Sequence, residues 1–186
     1  MAQYTQKAIL STFEQMLEEM PFDKITVSAL VRRCEISSNT FYYHYSDIYN
    51  LLGVWIRGEL DRFVDGRPPF YDWKKAMKDF LHACEARSNI IYHIFNSLSR
   101  ERVERFVFSL SDDVFYRSVC AYATQYAVPE EKLAGIADIC RISFAGFFLR
   151  FIWSRMKDDI DPMVDSYATL LEEMVTAAIE KYPKKG

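Results

Sequence analysis

The stretch from Ile25 to Tyr45, ITVSALVRRCEISSNTFYYHY, constrains the fold most, because two short helical patterns lie there on either side of a brief turn. Thr26 can cap the first helix, whose inward stripe is Val27, Leu30, Val31 and Cys34 at the spacing of one helical face. Ile36 plugs the turn. Ser37 or Ser38 can cap the second helix, which buries Phe41 and Tyr45 four residues apart. Ser38, Asn39, Thr40, Tyr42, Tyr43 and His44 are left on or near its outer face.

That outer face suits a helix-turn-helix entering a DNA major groove. Small hydrogen-bonding residues belong at the end of a recognition helix that meets base edges, and further donors fix the register on the phosphates. A helix N-terminus adds free N–H groups and partial positive charge. The expected DNA-facing residues are Ser28, Ser37, Ser38, Asn39, Thr40, Tyr42, Tyr43 and His44. Asn39 is the candidate for bidentate adenine recognition, and Tyr42 and His44 for phosphate.

The run TFYYHY after a capped turn, preceded by Phe22 to Val27 and followed by Asp47, Leu51 and Leu52, resembles the DNA-binding domain of the tetracycline-repressor (TetR) family over about Thr5 to Leu60. The Pro-Phe-Asp-Lys-Ile-Thr and Thr-Phe-Tyr-Tyr-His stretches are similar to the branch that regulates dihydroxyacetone kinase. The resemblance implies an all-α chain of about nine helices: a helix-turn-helix domain over 1–50, a linking helix over 51–66, and a ligand-binding and dimerisation domain over 67–186. It also implies a homodimer on an inverted-repeat operator, more often a repressor than an activator, released by a small molecule.

Four positions depart from the family. Glu35 stands where Gly is usual, so a left-handed turn there lacks the residue that tolerates it best. Ser38, Ser46 and Ile48 stand where Lys commonly meets phosphate. From Lys24 to Tyr45 three cations, Lys24, Arg32 and Arg33, oppose Glu35, while the first fifty residues are net acidic. This is a thin electrostatic footprint for a DNA binder, and it keeps open the alternative of a TetR-like interaction or co-regulator module that has lost DNA binding.

Elsewhere the chain reads as helix throughout. Six Gly, six Pro and few alternating runs leave little room for sheet, and half the residues are hydrophobic, enough for a substantial core. A first helix is expected from Thr5 to Met20, with Ile9, Phe13, Met16 and Leu17 inward, and Pro21 ends it. The next long helix runs from a Ser46 or Asp47 cap to Asp65, burying Leu52, Ile56 and Phe63, and Gly66-Arg67-Pro68-Pro69 breaks the pattern. Asp72 can cap a helix through Cys84, Asn89 opens another, and a longer one is expected from Glu101 to Tyr126. Pro129 and two acids start a helix continuing to Lys157 on a stripe that includes Ile139, and Asp161-Pro162 starts the last.

These last two helices hold more apolar surface than one core requires. Gly146, Phe148, Phe151, Met163, Tyr167, Leu170 and Met174 are the expected dimer seam. Trp73, Met77, Phe80, Tyr92, Phe95, Phe106, Tyr122 and Phe147 are the candidate lining for a small apolar or aromatic ligand, with His82, His93, Arg87 and Arg141 able to orient a polar group.

No cofactor or metal is expected. The chain lacks a Gly-rich phosphate loop, an HExxH pair or a nucleophile with its base, and His82 with Glu85 alone makes a poor metal site. The enzyme reading is therefore set aside. Cys34, Cys84, Cys120 and Cys140 form no CxxC pair and read as reduced thiols within helices. The longest uncharged apolar run, Ile142 to Leu149, is too short to span a bilayer, so a cytoplasmic protein without a membrane partner is expected. Lys184, Lys185 and Gly186 read as a frayed tail.

Overall fold

The structure, a computed structural model, describes residues 2–64, 73–109 and 114–185. They form ten helices: α1 (Ala2–Glu19), α2 (Val27–Arg33), α3 (Ser38–His44), α4 (Ile48–Val64), α5 (Trp73–Ala86), α6 (Ser88–Phe95), α7 (Arg100–Ser109), α8 (Val114–Tyr122), α9 (Glu130–Trp153) and α10 (Ile160–Ile179). Short 3-10 turns cover Phe22–Lys24 and Ala123–Gln125. The chain is all-α: no β-strand occurs among the described residues. It divides into two compact units, residues 1–62 with 87–100, and residues 63–86 with 101–186.

The first unit is built on α1. Ile9, Phe13, Met16 and Leu17 lie on one stripe and are buried, and Pro21 stops the helix so that Phe22 turns in beneath it. Phe22 stands edge-on to Phe13 at 6.3 Å and to Tyr49 at 5.3 Å. Leu30, Val31, Phe41, Tyr45, Leu51, Leu52 and Trp55 complete this core, with Ile36 and Ile56 packed against it. Each fully buried side chain of this size contributes roughly 1.5–3 kcal/mol, which fixes α2 and α3 although both are only seven residues long.

Ile90 and Ile94 of α6 enter the same core, and this groups residues 87–100 with the N-terminal helices. The Arg87 guanidinium bonds the Glu59 carboxylate of α4 at 2.6 Å, pairs with Glu14 of α1 and lies 5.4 Å over the Trp55 ring. The His93 ring N–H donates to the Leu17 carbonyl at 2.6 Å. Arg87 and His93, candidates to orient a ligand, are thus engaged in bracing the head. The expected break at 66–69 lies outside the described residues.

In the second unit α5 packs along α10 through Met77, Leu81 and Cys84, while Lys78 reaches Asp161 at 3.3 Å and Asp165 at 2.8 Å. Val119, Ala123, Ala137, Cys140 and Ile179 join α8, α9 and α10 in one cluster. Phe148 packs on Phe80 at 5.5 Å.

Several expectations change here. The helix expected from Glu101 to Tyr126 is described as α7 and α8, with residues 110–113 outside the description, and it gives way after Tyr122 to a 3-10 turn. There the Thr124 hydroxyl bonds back to the Ala121 carbonyl at 2.7 Å, and Tyr126 is extended. The helix expected to reach Lys157 ends at Trp153. Arg155 (φ 60°) and Met156 (φ 53°) turn left-handed, and their N–H groups bond Ile152 O and Phe151 O at 3.0 and 2.9 Å. Burial of Met156 at 3 % exposure offsets the strain of that turn.

Ile139, on the expected stripe of this helix, is exposed at 53 %. The tail is tied down through Lys185: Ala127 N–H bonds Pro183 O at 2.8 Å, Lys185 N–H bonds Gln125 O at 2.9 Å, and the Tyr126 hydroxyl bonds Glu180 at 3.1 Å. Cys84 and Cys140 are buried, Cys34 and Cys120 half-buried, and all four are free thiols.

Candidate nucleic-acid interface

The cap that starts α2 is Thr26, whose hydroxyl accepts the Ala29 N–H at 3.2 Å. Of the two serines able to start α3, Ser37 does so, accepting the Thr40 N–H at 3.1 Å with the Thr40 hydroxyl 2.8 Å away. Asp47 starts α4 by accepting the Asn50 N–H at 2.7 Å. Each cap satisfies one of the N–H groups that a helix start leaves open.

These caps set α3 at a fixed rotation. Phe41 and Tyr45 are sunk in the core at 0 % and 2 % exposure, and burial pushes the Tyr45 phenol above its ordinary range. On the other side Ser38, Asn39, Tyr42 and Tyr43 are exposed, with Thr40 and His44 half-buried. Tyr42 stands edge-on to Phe41 at 5.4 Å, and Tyr43 edge-on to His44 at 5.1 Å. Ser28 is exposed on α2. The hydroxyls of Ser37 and Thr40 are turned toward each other and the helix start, so structure occupies them first.

The turn between α2 and α3 is left-handed at Glu35, with φ 54°. It is closed by Ile36 N–H bonding Val31 O at 3.0 Å. Of the three cations nearby, Arg32 is exposed on α2 and the other two face carboxylates. Arg33 makes a two-pronged bond to Glu19 at 2.5 Å on each arm, and this hydrogen bond holds the Glu19 carboxyl below its usual range. Lys24 lies 3.4 Å from Asp23.

The residues expected to line a ligand pocket do not share one unit. Tyr92 and Phe95 lie on α6 in the first unit, where Phe95 packs against the head core. Trp73, Met77, Phe80, Phe106, Tyr122 and Phe147 lie in the second. Trp73 bonds Glu172 at 3.0 Å, Tyr122 bonds Thr176 at 3.0 Å, and Phe147 packs on Tyr167 at 4.4 Å. A cavity of about 100 Å³ opens between α8 and α9, lined by Phe115, Tyr116, Ala134, Ala137, Asp138 and Arg141. Arg141 there is paired with Asp138 at 3.0 Å. His82 sits 3.5 Å from Glu85 and 3.6 Å from Asp161. No cluster suited to a metal ion occurs among the described residues.

The residues of the expected seam differ in exposure. Phe148 and Phe151 are buried in the unit's own core at 3 % and 0 %, whereas Leu170 and Met174 are exposed at 65 % and 37 %. Gly146 faces out, and Met163 and Tyr167 are half-buried. Ile142 and Trp153, absent from the expected set, join Ile139 as exposed apolar side chains on α9. Their spacing with Gly146, steps of three, four and seven from Ile139, was the available signal, hidden because α9 is apolar on nearly every side.

A model of the transcriptional regulator C-terminal region of TetR proteins matches residues 71–173, more than half of the chain. The chain belongs to the TetR family. In fold it is similar to the dihydroxyacetone kinase operon activator DhaS, with a TM-score of 0.67 at 16% identity over 96% of this chain and 97% of that one. A TetR/AcrR-family regulator from Aquifex aeolicus VF5 aligns with a TM-score of 0.54 at 16% identity, over 91% of this chain and 99% of that one. A TetR-family regulator from Pectobacterium atrosepticum gives 0.51 at 13% identity, over 98% and 97%. No protein of curated function matches by sequence. The chain therefore has the fold of a transcriptional regulator with a helix-turn-helix head, and no described helix is long and apolar enough to cross a membrane.

Proposed function

We propose that this TetR-family chain is a homodimeric, sequence-specific DNA-binding regulator, a repressor, that holds an inverted-repeat operator through α2 and α3 and is released by a small apolar or aromatic molecule. The supporting observation is the rotation of α3: aromatic anchors lock one side in the core and leave Ser38, Asn39, Tyr42 and Tyr43 exposed on the other. Asn39 has the donor and acceptor for adenine N7 and N6, and Tyr42 and His44 can donate to phosphate.

Dimerisation is supported by exposed apolar side chains on both long helices, Ile139, Ile142 and Trp153 on α9 and Leu170 and Met174 on α10. A second copy presenting the same side chains would cover them, and two heads would then address half-sites about one helical turn, roughly 34–36 Å, apart. A ligand can release DNA only by favouring a head spacing that the operator does not fit.

The test is recovery of fragmented genomic DNA by the purified protein at near-physiological and lower salt. A few inverted repeats enriched at both salts are expected, with a shallow salt dependence because Arg33 and Lys24 already face carboxylates. The same neutralised cations favour a second reading, a TetR-shaped interaction module without DNA. Recovery of no enriched sequence by a folded dimer would overturn the repressor reading, in favour of that module or of an activator that binds DNA only with its ligand.

A further inference from the structure

We propose that Tyr43 reads thymine in the half-site by packing its ring against the C5 methyl group; this rests on the DNA-binding reading above and assigns one contact within it. An α-helix turns through about 100° per residue, so position 43, two residues from each buried anchor, lies about 160° from both Phe41 and Tyr45. Tyr43 is therefore the apex of the outward face, and it is 80 % exposed.

Its ring is held edge-on to His44 at 5.1 Å and 85°, which limits its rotation and presents a preset apolar edge. Asn39, one turn earlier on the same side, carries the amide suited to adenine. Ser37 and Thr40, whose hydroxyls would compete as readers, are bonded to each other and to the start of the helix. Phosphate contacts position the helix without reading sequence, so discrimination on this surface falls to contacts with base edges. In the major groove the apolar mark is the thymine methyl, which only A·T pairs carry.

The experiment selects a binding site for the full chain from a random duplex library and then replaces each dT by dU, which removes the methyl and nothing else. One replacement per half-site removes two methyls from the inverted repeat and is expected to weaken binding about fifteenfold, about fourfold for each buried methyl-sized group. Y43A should bind the dT and dU duplexes equally, and Y43F should keep the preference, with circular dichroism melting reporting that both variants fold. Indifference to every dT, a preference that survives in Y43A, or one lost in Y43F would each overturn the assignment. Failure to select any site would instead sink the DNA-binding reading on which it rests.

Discussion

The outward faces of α3 and of the α9–α10 pair are built on opposite terms. On α3 the exposed side chains are short polar groups and two phenols, every one able to exchange hydrogen bonds with water. On α9 and α10 the exposed Ile139, Ile142 and Leu170 offer water no hydrogen bond, and Trp153 carries one indole N–H on a large apolar ring. The first face can stand wet and meet a hydrated partner; the second loses free energy at about 25 cal/mol for each Å² of apolar surface left in water. One chain thus carries a surface stable when alone and another that calls for a cover.

The contrast between inward and outward faces gives the largest expected effect. Phe41→Ala should destabilise the first unit by about 3–5 kcal/mol in urea unfolding, while Tyr43→Ala, two residues away, should stay within about 0.5 kcal/mol. Comparable losses at both positions would mean that the rotation assigned to α3 is wrong. Next in size is Leu170→Glu, which places a charge among these exposed apolar side chains. Sedimentation should turn from dimer to monomer, and operator affinity should fall on the order of a hundredfold as the two heads lose their linkage. A dimeric variant would move the seam elsewhere.

Alkali should separate inside from outside in the second unit. Burial pushes the Cys140 thiol from 9.0 up to about 11 and the Tyr167 phenol from 10.0 up to about 12. Both acids are neutral in the fold and ionise more easily once unfolded. Their contribution is whole below pH 9, falls as pH rises through 9–12, and is gone above. Tyr167→Phe should flatten that fall in a pH series of thermal melts; an unchanged fall would assign it to other groups. The smallest effect is at the turn beside α3: Glu35→Gly should stabilise by about 1 kcal/mol, because glycine adopts the left-handed backbone without the side-chain clash. A loss on that substitution would show that Glu35 makes a favourable contact outweighing its strain.

The head was legible in the sequence because its signals are local. Thr26, Ser37 and Asp47 each cap a helix within three residues of the group they bond, and Phe41 and Tyr45 mark the inward side by spacing alone. Even the left-handed turn at Glu35 followed from comparison with the glycine usual there. Long-range pairings carried no such mark. Nothing in the spacing around Arg87 tells that it bonds Glu59 and sits over Trp55, so α6 read as part of the second domain. In α9, where aliphatic and aromatic residues occur on nearly every side, periodicity puts Ile139, Phe148 and Phe151 on one stripe and does not tell that the two phenylalanines are buried and Ile139 exposed. Local chemistry announces where helices begin; packing alone decides which apolar side is covered.

The tie between the tail and the α8–α9 corner bears on how the protein can be handled and pulled apart. Pro183 and Lys185 hold Ala127 and Gln125 by two backbone bonds, with the Lys184 ammonium 5.9 Å from the Tyr126 ring. Force carried by the chain beyond Lys185 therefore acts on the corner itself. Force applied from the carboxy end peels these two bonds one after the other before it loads α10. The last residues are a short zipper closing the second unit, and an unfolding motor gripping that end would open it first.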